Sequence, residues 1–187
     1  VRKNLSNYGD KELLEMLRGS RKEAETAFAE IYDRYSLKVN AYCRTILGNR
    51  ELAEDVFQDT FVRFFKHAQS EWGSGSIVGF LITIARNLCL NAKRDKKVTV
   101  PIEDLDLPVT SEYSLEDREM SELIITGLDL IEPEYKEALV LRYFDDLRYR
   151  EIGDLLGVTE ARARYLVFTG KLKLKAVMQP YLKGVYK

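Results

Sequence analysis

A tight turn between two helices constrains this chain more than any other stretch of it. From Tyr149 to Val177 the sequence reads YREIGDLLGVTEARARYLVFTGKLKLKAV. Ile152, Leu155 and Leu156 fall at helical spacing, Gly157 stands where a chain leaving a helix takes positive φ, and Thr159 is a natural N-cap for a second helix. Gly153 lacks a side chain, which lets that second helix cross close over the first. The pattern predicts a helix-turn-helix whose second helix starts at Glu160. That helix carries Arg162, Arg164, Lys171, Lys173 and Lys175, and no acid comes after Glu160, so it can lie against phosphates while its first turns meet base edges. An ordinary pair of helices with a solvated basic face has the same spacing, and spacing alone leaves both readings open.

A chain of 187 residues with 45% hydrophobic content can bury one core or two small ones. No apolar run approaches a membrane span, and the amino terminus lacks a basic-then-apolar signal pattern. A soluble, cytoplasmic protein without membrane insertion is therefore expected. Cys43 and Cys89 each sit among apolar neighbours in a predicted helix, which favours buried free thiols over a disulfide, and the single histidine argues against zinc. The formal net charge of −1 hides a segregation of charge along the chain.

Asp10 is placed to cap a short helix with Leu13, Leu14 and Leu17 on one side, and Gly19-Ser20 ends it. A long helix beginning near Glu23 has Phe28, Ile31, Tyr35, Val39, Tyr42 and Ile46 at three- and four-residue steps, and Gly48-Asn49 stops it. The next, from about Arg50 to His67, buries Ala53, Phe57, Phe61 and Phe64 and turns Glu54, Asp55, Gln58 and Asp59 the other way. After a break at Ser70 to Ser76, a fourth helix uses Ile77, Leu81, Ile84 and Leu88. Its end is basic: Arg86 and Asn87 are followed by Lys93, Arg94, Lys96 and Lys97, with Asp95 the one acid among them, and Trp72 lies in the loop before. Basic groups that hold phosphates beside aromatic and amide groups that meet unpaired bases form a surface for single-stranded nucleic acid. Cations at a helix carboxyl terminus are also favoured by the macrodipole alone, and a lone loop tryptophan usually packs. The residues by themselves support both explanations.

From Pro101 to Ser114 the helical period fails, with two prolines and scattered acids. Between Pro101 and Glu122 the acids are Glu103, Asp104, Asp106, Glu112, Glu116, Asp117, Glu119 and Glu122, against Arg118 alone. The expected fold is all-α: a helical domain over residues 1–98, a flexible acidic linker over 99–114, and a helical domain over 115–187 that contains the helix-turn-helix.

Four pieces in this order resemble the extracytoplasmic-function (ECF) group of bacterial sigma factors, the promoter-recognition subunits of RNA polymerase. Ala53-Glu54-Asp55-Val56-Phe57-Gln58-Asp59-Thr60-Phe61 is similar to that family's polymerase-clamp-binding helix. Phe80-Leu81-Ile82-Thr83-Ile84-Ala85-Arg86-Asn87 is similar to its promoter-melting helix. Glu132-Pro133-Glu134-Tyr135 through Leu139-Val140-Leu141-Arg142-Tyr143, then Glu151-Ile152-Gly153 and Leu156-Gly157-Val158, resemble its upstream-element domain. The chain departs from the family at Phe80, where tryptophan is usual, and at Arg162 to Val167, where the usual segment reads like Thr-Val-Lys-Ser-Arg-Leu.

The resemblance implies that Glu54, Asp55, Gln58 and Asp59 bind core RNA polymerase. It implies that Trp72, Arg86, Asn87, Lys93, Arg94, Lys96 and Lys97 hold the melted non-template strand of the downstream element, where a pocket for an unstacked base offsets the unpairing. Thr159, Glu160, Arg162, Arg164, Tyr165, Phe168 and Lys171 would read the upstream promoter duplex. The partners it implies are core polymerase and promoter DNA, with an anti-sigma factor as a further candidate. No cofactor, metal or enzymatic activity is expected, since the sequence holds no phosphate-cradling glycine loop, metal-ligand spacing or histidine beside a nucleophile. The alternative is a helix-turn-helix regulator that acts without associating directly with polymerase, in which the acidic face on the third helix is only solvated surface.

Overall fold

The computed structural model describes residues 5–70, 76–95 and 115–185. Among these residues the regular structure is helical: α1 (Asp10–Leu17), α2 (Arg21–Leu47), α3 (Arg50–Ser70), α4 (Ile77–Asp95), α5 (Leu115–Asp129), α6 (Pro133–Tyr143), α7 (Tyr149–Leu156) and α8 (Glu160–Val185). The chain divides into two compact units, Val1–Pro101 and Ile102–Lys187. Trp72, Lys96, Lys97 and the acids Glu103, Asp104, Asp106 and Glu112 lie outside the described residues.

In the first unit each helix start has an identifiable cause. The Ser20 hydroxyl accepts the Glu23 N–H while the Glu23 carboxylate accepts the Ser20 N–H at 2.9 Å, so α2 begins at Arg21, slightly before the apolar period shows itself. The Asn49 side chain accepts the Leu52 N–H at 2.8 Å and starts α3. Asp10 behaves differently from expectation. Gly9 is the N-cap of α1, its N–H held by Glu12, and the Asp10 carboxylate reaches elsewhere: one oxygen accepts the Tyr35 hydroxyl of α2 at 2.7 Å, the other the Ile77 N–H at the head of α4 at 2.8 Å. A sequence shows which residues suit a cap but not which helix lies within reach.

The stripes read from periodicity close over one another. Leu13, Leu17, Ile31, Tyr42, Phe64, Leu81 and Ile82 are fully buried, as are the free thiols of Cys43 and Cys89. Burying a side chain of the size of Phe64 contributes about 1.5–3 kcal/mol. Beside this core, Phe28 and Tyr32 of α2 meet Phe57 and Phe61 of α3, with Tyr32 and Phe61 centroids 4.9 Å apart. The segment before α1 is tied down by Arg34, whose guanidinium donates to the carbonyls of Tyr8 and Leu5, and Leu5 is buried.

The second unit is built on α8, against which α5, α6 and α7 pack. Pro133 occupies the first turn of α6, where its missing N–H costs nothing. Ala138 to Leu141 are buried, and Gly170 of α8 lies so close to α6 that a Cβ there would stand 3.1 Å from the Tyr135 side chain.

Candidate functional site

The turn between α7 and α8 sets the exposed surface of the second unit. Gly157 has φ of 69°, and the Val158 N–H returns to the Gly153 carbonyl at 2.9 Å. A Cβ on Gly153 would stand 2.8 Å from the Val158 carbonyl oxygen, so the crossing needs the bare backbone. Thr159 caps α8 by accepting the Arg162 N–H at 3.2 Å.

Ala163, Leu166, Val167 and Gly170 face the core. At about 100° per residue, the opposite side of the helix carries Ala161, Tyr165, Phe168 and Leu172. Of these, Tyr165 is 49% exposed, Phe168 65% and Leu172 53%. One edge of that stripe holds Arg164, Lys171 and Lys175, all exposed. Arg164 pairs with Glu160 at 2.9 Å and lies over the Tyr149 ring. The other edge holds Arg162 and Lys173, and both are engaged by α6 and its cap. Arg162 meets Glu134 at 3.2 Å and lies over the Tyr165 ring. Lys173 meets Glu132 at 2.7 Å and lies near the Tyr135 ring. The hydrogen bond from Lys173 holds the Glu132 carboxyl below its ordinary range, and the same contact raises Lys173. Sequence reasoning grouped these bases together; the long-range acids that divide them into two classes left no signal in it.

On α4, Asn87 and Arg94 lie on the side away from Leu81, Ile82, Ala85 and Cys89, while Arg86, partly buried, and Lys93, exposed in the last turn, fall on the flank next to Ile82. The described part of the expected strand-binding set thus spans two adjoining flanks of the carboxyl-terminal half of α4. Arg94 also contacts Asp95 at 3.3 Å. Phe80, where the family usually has tryptophan, stacks edge-on to His67 of α3 with centroids 6.2 Å apart, and packs against Phe64. Leu90, 45% exposed, and Asn91 share this side of α4; their spacing from Arg86 and Asn87 was the signal that could have found them.

On α3, Glu54, Asp55 and Gln58 are exposed, and Asp59 is partly covered by its ion pair with Arg63 at 2.9 Å. Sequence reasoning missed Val62, half exposed and one helical turn beyond Gln58 on the same face. Val62 ends the acidic face, with Gln58 and Asp59 on one side of it and Phe65 and Lys66 on the other.

Two family models match the chain: Sigma-70 region 2 over residues 31–99 and Sigma-70, region 4 over residues 121–174. The first spans α3 and α4, the second α6, α7 and α8 as far as Leu174. The ECF RNA polymerase sigma factor SigM of Bacillus subtilis is 28% identical over 160 residues, covering 83% of this chain and 96% of that protein. The RNA polymerase sigma factor CarQ of Myxococcus xanthus is 26% identical over 158 residues, covering 83% of this chain and 91% of that one. Among solved structures, the sigma factor RpoE of Bartonella quintana, in complex with the anti-sigma factor NepR, shares the fold. Its TM-score is 0.69 at 18% identity, covering 81% of this chain and 96% of that one.

Proposed function

This chain belongs to the ECF RNA polymerase sigma factors, and on that premise we propose a role for each of its exposed faces. As a sigma factor it binds core RNA polymerase and directs promoter-specific transcription initiation. The α3 face of Glu54, Asp55, Gln58 and Asp59 docks on polymerase, with the exposed Val62 at its carboxyl-terminal edge. The carboxyl-terminal half of α4, with Arg86, Asn87, Lys93 and Arg94, holds the non-template strand as the duplex opens, and by resemblance Trp72, Lys96 and Lys97 extend that surface. The outer side of α8, from Thr159 and Glu160 to Lys171, enters the major groove of the upstream element.

The observation that carries this reading is the pairing of the two matched regions in one chain, each with an exposed face of the right chemistry: acidic on α3, basic on α4 and α8. A regulator acting without polymerase has no need of a region 2. All three faces act by binding, with no bond made or broken, and no described helix is long and apolar enough to cross a membrane. We place the protein's work in the cytoplasm, where the polymerase and promoter are. An anti-sigma factor, the kind of partner the Bartonella quintana protein holds, would act by covering one of these faces.

The test is reconstitution with core polymerase and transcription from genomic fragments. The expected result is a defined set of start sites absent with core enzyme alone. Operator binding that persists without any effect on core polymerase would return the chain to the plain-regulator class.

A further inference from the structure

The face of α8 that points straight away from the core is apolar, and its two edges are charged and unlike each other. Ala161, Tyr165, Phe168 and Leu172 form the centre line, and Phe168 is among the most exposed large apolar side chains of the described residues. Exposed aromatics in a row on one helix mark a contact surface, because their burial is worth most when something else covers them. On one edge Lys171 and Lys175 are exposed and form no ion pair among the described residues. On the other, Arg162 and Lys173 are held by Glu134 and Glu132.

The occupant must therefore offer anionic groups beside the first edge and apolar groups along the middle. The major groove of duplex DNA does this. It admits a single helix, phosphates line its walls, and the apolar feature on its floor is the C5-methyl group of thymine. Ala161, Tyr165 and Phe168 lie within the first three turns of the second helix of a helix-turn-helix, the part that reaches base edges. We propose that Tyr165 and Phe168 read thymine methyl groups in the upstream promoter element, so that this protein prefers thymine at the positions they face. Arg164, Lys171 and Lys175 then meet the phosphates along one strand, while Arg162 and Lys173 stay with their acids and fix the helix to α6. The inference rests on the sigma-factor reading and adds which base is read, and by which atoms.

The experiment uses holoenzyme reconstituted from the full chain and core polymerase, on a promoter taken from the genomic fragments it transcribes. Each thymine of the upstream element is replaced in turn by deoxyuridine, which removes the methyl group and leaves every hydrogen-bonding group in place. Promoter affinity should fall about fourfold at one or two positions, the effect of losing one methyl-sized apolar contact. Phe168→Ala should erase the difference between thymine and deoxyuridine at one of those positions, and Tyr165→Ala at another; both residues are exposed, so circular dichroism should show the fold intact. Deoxyuridine tolerated at every position by the parent protein overturns the inference. So does a Phe168→Ala effect that is equal on both bases, or one that instead abolishes self-association of the free protein. In each of these cases promoter-dependent transcription survives and only the base-reading idea fails; its absence from the outset would remove both readings.

Discussion

Asp10 holds three helices together with one carboxylate, since it sits in α1 and accepts from Tyr35 of α2 and from the first N–H of α4. Asp10→Ala would take away the acceptor of the Tyr35 hydroxyl proton and of the Ile77 N–H at a partly buried site. The expected loss is about 1–3 kcal/mol of stability, measured by urea unfolding of the amino-terminal unit. Burial, and then the bond to Asp10, pushes the Tyr35 hydroxyl above its ordinary range. A raised folded-state pKa means the contribution is complete below the unfolded value of about 10 and is lost as pH rises from there toward the folded value. Stability should therefore decline on the alkaline side of about pH 10, and Tyr35→Phe should flatten that decline. Gly153 makes the same kind of point by having nothing to offer: its added Cβ would meet backbone, the Val158 carbonyl, which cannot swing aside. Gly153→Ala should cost about 1–3 kcal/mol in the carboxyl-terminal unit and weaken upstream-element binding with it, read by thermal unfolding and by duplex affinity.

Among the elements, α3 faces two ways, and the two sides predict opposite phenotypes. Phe57, Phe61 and Phe64 carry the fold, while Asp55, Gln58 and Val62 point to solvent. Asp55→Arg and Val62→Glu should each weaken core-polymerase binding about tenfold or more, the effect of losing an interface contact, with the unfolding midpoint nearly unchanged. Binding equal to the parent would remove α3 from the polymerase interface. The helices themselves were legible because apolar residues at a period of about 3.6 reveal a buried stripe, and because Thr159 is a local start signal; Ser20 with Glu23 is another, and reading Ser20 only as the end of α1 put the start of α2 two residues late. What the sequence could not give was contact at a distance. Lys173 and Glu132 are 41 residues apart, and Arg162 and Glu134 are 28 apart, so nothing in the run of bases on α8 tells which of them are already paired. Asp10 misled for the same reason: its partners are 25 and 67 residues away. The aromatic stripe was visible as letters, Tyr165 and Phe168, but its exposure depends on where α6 and α7 pack.

At the scale of the whole molecule, the two compact units have separate cores, one built on Leu13, Tyr42, Phe64 and Leu81, the other on Ile125, Leu139, Ile152 and Leu166. Cooperativity comes from a shared core, so units that do not share one should melt as two transitions rather than one. Asp10→Ala and Gly153→Ala can test this, because the Asp10 bonds to Tyr35 and Ile77 lie within the first unit and the Gly153 contact with Val158 within the second. Asp10→Ala should lower one transition and leave the other in place, while Gly153→Ala should do the reverse. In the double variant both shifts should appear at their single-variant size, since independent sites add to within about 0.5 kcal/mol. Differential scanning calorimetry on the full chain resolves the two transitions. If Asp10→Ala moved both by the same amount, the units would be folding as one cooperative body, and promoter reading and polymerase docking would then have to be treated as mechanically linked.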